Sequence, residues 1–416
     1  MAQLSNDCFA FGGELMSVDA ARALVAERLF PVATREDVPL VEADGRVLAE
    51  SIVAPIDLPP FDNAAVDGYA VRFADLGAGA GTVLPVAGRV AAGGTLAGAA
   101  GPGRAVRIFT GAPMPAGLDT VFMQEDVRLD GDAVALPAGL KAGANRRPAG
   151  EDLSRGSLAL AAGRRLSPRD IALLAALGFD RVPVRRPLRV AVFSTGDEVV
   201  SPGNRLGPAQ LYDANRFMLR AWLSRLGCRA TDLGILKDEP GPLAAALARA
   251  AADHDLILTS GGVSTGEEDH VKAAVEAAGA LTFWRIAIKP GRPVAMGVVA
   301  GKPFVGLPGN PVAVFVTFAH LARAVVARLS GEDSWAPPRA YPVRAGFAYK
   351  KKEGRREYVR VRIEEGAGGA LVARKHPREG AGVITSLTET DGLAELPEAV
   401  VRVAPGETLR FLPYDL

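Results

Sequence analysis

Residues 188–330 constrain the fold most, because wholly apolar runs alternate there with helical spacings. LRVAVFS, DLILTS and LTFWRIAI are short and unbroken in their apolar character, as strands buried on both faces must be. Between them ANRFMLRAWLSRLG, PLAAALARAAAD and DHVKAAVEAAG place apolar residues at helical intervals, and PVAVFVTFAHLARAVVARL forms a long apolar helix. Strands separated by crossover helices imply a doubly wound, mostly parallel α/β sheet domain. Ligands of such sheets sit outside the carboxyl ends of the strands, where loops meet helix N-termini.

The flanking segments have other textures. SVDAARALVAERL at 17–29 reads as a helix capped by Ser17 and ended by Pro31, and SPRDIALLAAL at 167–177 as another, stopped by Gly178. From 38 to about 145, Val/Leu/Ile runs broken by Gly, Pro and Asp-Gly read as strands joined by turns. SWAPPRAYP at 334–342 marks a boundary, and the alternation in EYVRVRIEE beyond it implies a small β domain. A length of 416 residues allows two to four such units. The class is therefore multidomain α/β plus β.

Charge and cysteine usage exclude several functions. The 48 basic and 47 acidic residues leave a net charge of +1, so no field gathers nucleic acid or anionic lipid. Cys8 and Cys228 form no CxxC pair, and four scattered histidines form no HExxH, which argues against structural zinc and a disulfide framework. The first residues lack a secretory pattern, and no run approaches about 20 apolar residues. The expectation is a soluble protein of the reducing cytoplasm, bound to neither nucleic acid nor membrane.

Three strand-ending loops carry the candidate chemistry. The first runs from Ser194 to Glu198, the second from Ser260 to Asp269, and the third from Gly306 to Pro311. In the second, Gly261 and Gly262 let backbone N–H groups approach an anion, and Ser264 and Thr265 add hydroxyls. Taken singly, each is an ordinary turn; three in succession suggest a phosphate-bearing ligand, although a P-loop lysine is missing. Glu198, Asp269 and Asp238 at the same loop ends would repel phosphate unless a divalent cation intervened, and oxygen ligands suit magnesium. Lys289, Arg285 and Arg292 near the same edge would neutralise an oxyanion. Elsewhere Asp67–Gly68 reads as a hairpin turn, Thr110 as a turn hydroxyl, and Arg146, Arg147, Glu151 and Asp152 as a surface ion-pair loop.

Read in order, FDNAAVDGYAVR, RIFTGAPMP, AGEDL, VFSTGDEVV, YDANRFML, TSGGVSTGEEDHVK, IAIKPGRP and GLPGNPVAVFVTF resemble the molybdopterin molybdenumtransferase family, from about Met16 onward. The resemblance implies an elongated homodimer of four-domain chains. Residues 1–56 with 151–185 would form an N-terminal helical/β dimerisation domain, 57–150 an inserted β domain, 186–332 the molybdopterin-binding α/β domain, and 333–416 a C-terminal barrel-like β domain lining the partner's cleft. It implies magnesium-dependent insertion of molybdate into adenylylated molybdopterin with release of AMP.

Carried over by position, Asp67, Asp152, Glu198, Asp269 and Thr110 would be catalytic, with Glu198 and Asp269 as metal ligands. Arg147, Asp238, Gly261, Gly262, Ser264, Arg285, Lys289, Pro308 and Pro311 would bind substrate. The implied partners are adenylylated molybdopterin, molybdate, a second copy of the chain and a molybdopterin adenylyltransferase. Ala64, Arg285 and His270 stand where serine, lysine and tyrosine are common. Two alternatives are a molybdopterin adenylyltransferase, which needs only 188–330, and a gephyrin-like scaffold without turnover.

Overall fold

The computed structural model describes residues 15–77, 79, 81–237, 239–262, 270–291, 293–333 and 335–414. At its centre lies a six-stranded sheet in the order Arg229–Leu236, Arg189–Thr195, Leu256–Ser260, Lys302–Leu307, Pro293–Val299, Gly279–Arg285. The first four strands run parallel, Pro293–Val299 is antiparallel to them, and Gly279–Arg285, antiparallel to that strand, returns to their direction.

The apolar runs are continuous because each strand feeds two cores. Along Arg189–Thr195, Val190 and Val192 pack with helices Val18–Arg28, Asn215–Arg225 and Pro311–Thr317, while Ala191 and Phe193 face helices Pro240–Asp253 and His270–Ala278. Leu256 and Leu258 divide from Ile257 in the same way. A period of two on a sheet covered on both faces leaves no polar position.

Strand Pro293–Val299 is absent from the sequence reading. It forms a hairpin with Lys302–Leu307 through Ala300 and Gly301, both at positive φ (46° and 77°). Two left-handed residues between apolar runs are the signature of a tight hairpin turn, so the signal was present. The long helix also differs: Pro311–Thr317 and Arg323–Ser330 flank a π-helical turn at Phe318–Ala322. Thr317 Oγ1 donates to the carbonyls of Ala313 (2.7 Å) and Val314, competing with the regular ladder there. By length and hydropathy Pro311–Ser330 alone among the described helices would cross a membrane, but its most apolar window is 89% buried in the protein core.

Two β units flank this domain. In the first, strands Thr120–Met123, Gly68–Val71, Ala105–Ile108, Thr82–Val90, Ala133–Leu136 and Arg128–Asp130 form one curved sheet. The segments on either side of it pair with each other, Arg35–Pro39 with Arg181–Arg185 and Ile52–Val53 with Leu158–Leu160. The second unit is a closed five-stranded barrel, because Arg356–Glu365 pairs with both Leu371–Lys375 and Gly392–Leu396.

The barrel is docked on its own chain's α/β domain. Lys289–Ile288 leaves the end of the central sheet and pairs in parallel with Arg356–Glu357. Val359 and Val361 then face the barrel core, while Tyr358, on the other face of the strand, stacks on His320 at 4.0 Å between ring centroids. Over its first residues the alternation in EYVRVRIEE thus separates barrel interior from domain interface, and only from Arg362 onward does it separate interior from solvent. This strand pairing makes the barrel a wall of its own chain's cleft.

Candidate active site

A cleft of about 550 Å³ opens at the carboxyl end of the parallel strands. Thr195, Gly196 and Glu198 line one side, Gly261 and Gly262 the next, then Lys289–Gly291 and Pro308–Asn310. The barrel closes it with Tyr349, Glu357, Arg360, Lys375 and His376. All three loops singled out from the sequence therefore meet here.

The glycines are required by space as well as by conformation. Gly261 and Gly262 have φ of +87° and +63°, and a Cβ on Gly262 would come within 2.5 Å of both Thr195 Oγ1 and Val271 Cγ2. A Cβ on Gly196 would overlap the Glu198 carboxylate, so this glycine lets the acid fold back along its own loop. Only glycine meets both demands without strain.

Polar groups in the cleft are held ready or left without partners. Asn215 Nδ2 donates to Ser260 Oγ (2.8 Å) and to the Gly309 carbonyl (2.6 Å), tying two loops together. Asn215 Oδ1 and Thr195 Oγ1 are buried without a hydrogen-bond partner among the described residues. Orphaned buried oxygens are rare and point to a missing polar partner. Lys289 Nζ reaches Tyr349 Oη and Glu357 Oε2, each at 3.1 Å. Burial works against its charge, yet the bonds to Tyr349 and Glu357 hold the ammonium above the usual lysine value.

The structure brings together only part of the expected set. Glu198, Gly261, Gly262, Lys289 and Pro308 line the cleft. Pro311 sits just behind, as the first residue of helix Pro311–Thr317, where its missing N–H is harmless. Arg285 is exposed at the end of strand Gly279–Arg285, outside the cleft lining, with its carbonyl accepting from Met16 N at 3.0 Å. Asp238, Ser264 and Asp269, with Thr265 and Arg292, lie outside the described residues.

Asp67 and Thr110 lie on the first β unit, Arg147 and Asp152 on the segment that leaves it, and all four are absent from the cleft lining. Asp67 Oδ1 accepts from Thr110 N (2.8 Å) and Thr110 Oγ1 (2.7 Å), bonds that hold its carboxyl below the usual range. Arg147 lies on strand Arg146–Arg147, which pairs with Asn63–Ala64, and its guanidinium approaches Glu151 at 3.6 Å. Asp152 follows on the exposed turn, and Ala64 is buried. Within one chain, Glu198 lines the cleft and Asp67 and Asp152 do not. Among the described residues no three Asp, Glu, His or Cys side chains cluster as a metal site.

The barrel residues of the cleft escaped the sequence reading. Their signal was the buried-looking strand EYVRVRIEE, whose charged positions had no reason to be inward unless a second domain covered them.

A central α/β sheet with loop glycines and orphaned oxygens at its carboxyl edge, walled by a barrel, defines a multidomain α/β protein built to bind a polar ligand. Comparison with known proteins refines that class. The description "MoeA N-terminal region (domain I and II)" matches residues 16–178, "Probable molybdopterin binding domain" 191–328, and "MoeA C-terminal region (domain IV)" 342–414. The molybdopterin molybdenumtransferase of Haemophilus influenzae is 39% identical over 403 residues, 96% of this chain and 99% of that protein. Molybdopterin molybdenumtransferase 2 of Mycobacterium tuberculosis is 36% identical over 90% of this chain and 93% of its own. A crystal structure of the molybdopterin biosynthesis moeA protein from Pyrococcus horikoshii OT3 superposes with a TM-score of 0.82 at 29% identity, covering 96% of this chain and 100% of that one. The chain belongs to the molybdopterin molybdenumtransferase family.

Proposed function

We propose that this chain is a transferase of molybdenum cofactor biosynthesis that inserts molybdate into adenylylated molybdopterin and releases AMP. The observation that carries the reading is the cleft itself, where glycine-lined backbone, orphaned oxygens, Glu198 and Lys289 meet at the carboxyl edge of the sheet. Matches to all three family regions disfavour an adenylyltransferase, which would need the central domain alone.

Each group has a task that its position suits. Backbone at Gly261 and Gly262 approaches the pyrophosphate without side-chain obstruction. Lys289 attracts the oxyanion, and Asn215 holds the Ser260 and Gly309 loops at fixed separation. No nucleophilic side chain is needed, because the dithiolene sulfurs of the substrate take up the metal. Hard oxygen ligands suit magnesium, and Glu198 and Thr195 supply such oxygens on the cleft wall. Glu198 with Asp269 would hold the ion, whose charge, when bound, offsets that of the pyrophosphate and polarises the adenylyl linkage.

A homodimer is part of the proposal. The bonded pair Asp67 and Thr110, with the exposed Arg147 and Asp152, does not line the cleft of its own chain, and a second copy would present these residues there. The cytoplasm is the fitting compartment, and a molybdopterin adenylyltransferase the fitting supplier of substrate. The test is incubation with adenylylated molybdopterin, magnesium and molybdate. Molybdate-dependent AMP release with formation of active cofactor supports the reading; ATP consumption with unmodified molybdopterin would instead make it an adenylyltransferase.

A further inference from the structure

One charge in the cleft has no task in that reaction. Glu357, in the barrel strand Arg356–Glu365, is 1% exposed yet lines the cleft. Its Oε2 accepts from Lys289 Nζ at 3.1 Å and from Tyr349 Oη at 2.9 Å, and its Oε1 from Arg355 Nε at 2.7 Å. With Lys289 Nζ also donating to Tyr349 Oη, the three side chains form a closed triangle. Backbone register fixes the arrangement, since Lys289 and Glu357 are partners in the parallel pairing that joins the two domains. Burial alone would neutralise the carboxyl, but the bonds from Tyr349, Lys289 and Arg355 keep it below the usual range and therefore ionised.

A carboxylate on the lysine of an anion-binding cleft is a competitor for whatever anion enters. It offers the ammonium, through Oε2, singly charged oxygen company of the kind an oxyanion would give. We propose that Glu357 is a positioning residue that stands in for the oxyanion: it holds the Lys289 ammonium at the cleft wall, and it yields that ammonium when the oxyanion arrives. This rests on the reading that the cleft takes an oxyanion. Because Glu357 belongs to the barrel and Lys289 to the α/β domain, the exchange also loosens one polar tie between them. Lys375, which lines the same cleft and lies 6.0 Å from the Tyr349 ring centroid, is a second cation beside the triangle and is paired with Glu379 on its own unit.

A residue that only supports the fold weakens binding when it is altered, whereas a resident competitor strengthens it. Calorimetric titration of the full chain with molybdate and with perrhenate, a tetrahedral monoanion, separates the two. Glu357→Gln should tighten molybdate by about tenfold and perrhenate by about threefold, because relief from one negative charge scales with the charge of the ligand. In a Lys289→Ala background the gain should shrink. Tyr349→Phe, which removes one tie without removing a charge, should give a smaller gain and serves if Glu357→Gln folds poorly. If the wild-type chain binds molybdate and neither variant binds it more tightly, the stand-in role is overturned and the oxyanion reading stands. If no variant binds molybdate at all, both are overturned.

Discussion

Asp255 offers a test of how the central sheet divides its labour between its two ends. It precedes strand Leu256–Ser260 at the amino end, opposite the cleft, and is 3% exposed. Its carboxylate accepts two bonds from Arg186 (2.6 and 2.9 Å), one from Arg189 N (2.9 Å) and one from Arg189 Nη2 (3.2 Å). Burial would raise its pKa, but these bonds prevail and bring it from 3.8 to about 2. A group depressed by nearly two units contributes about 2 kcal/mol, allowing for the partly solvated guanidiniums around it. Because the folded pKa is the lower one, the contribution is complete above the unfolded value of 3.8 and fades as pH falls toward about 2. Asp255→Asn should therefore lower the melting temperature of the α/β domain by roughly 5 °C at about pH 7. At about pH 3 the wild type retains only about 1 kcal/mol of the contribution, so the gap between the two proteins should halve. Scanning calorimetry of both at the two pH values reads this directly, and AMP binding in the cleft should not change. A gap that is absent at neutral pH, or that widens on acidification, would refute the assignment.

Three further outcomes are expected. Gly262→Ala forces a side chain into a left-handed position against Thr195 and Val271, and should cost about 1–3 kcal/mol of stability in denaturant titration together with weakened AMP binding. Arg356→Ala removes the guanidinium shared by Asp19, Glu395 and Glu398 and leaves Glu395, 7% exposed, with Arg410 alone. The loss should be about 3 kcal/mol, seen as earlier melting and faster proteolysis between barrel and α/β domain. Asp67→Asn, at a half-buried bend where the amide oxygen can still accept from Thr110, should change stability by less than about 1 kcal/mol while slowing AMP release at least tenfold, measured by chromatography of the products.

Legibility from sequence followed the source of each contact. Elements held by local rules were plain: Ser17 caps its helix through Ala20 N at 3.1 Å, and Ser167 forms a capping box with Asp170. The loop glycines were legible because the backbone itself demands them. What escaped was set by contact between distant segments. Glu357 looks like any charge on an alternating strand until Lys289, 68 positions earlier, pairs beside it. Arg285 and Lys289 looked equivalent around one strand, but the chain leaves the central sheet after Arg285, so only Lys289 enters the cleft. Strand Pro293–Val299 was hidden behind a proline- and glycine-rich start, although its Ala300–Gly301 turn was in view.

The most direct measurement is a crystal of the full chain soaked with AMP, magnesium and molybdate. The AMP phosphate should lie against the backbone of Thr195–Gly196 and Gly261–Gly262, molybdate at Lys289, and Asp67 with Thr110 of a second copy should face the same space. AMP and molybdate bound away from that cleft, or a cleft no second copy approaches, would contradict this placement.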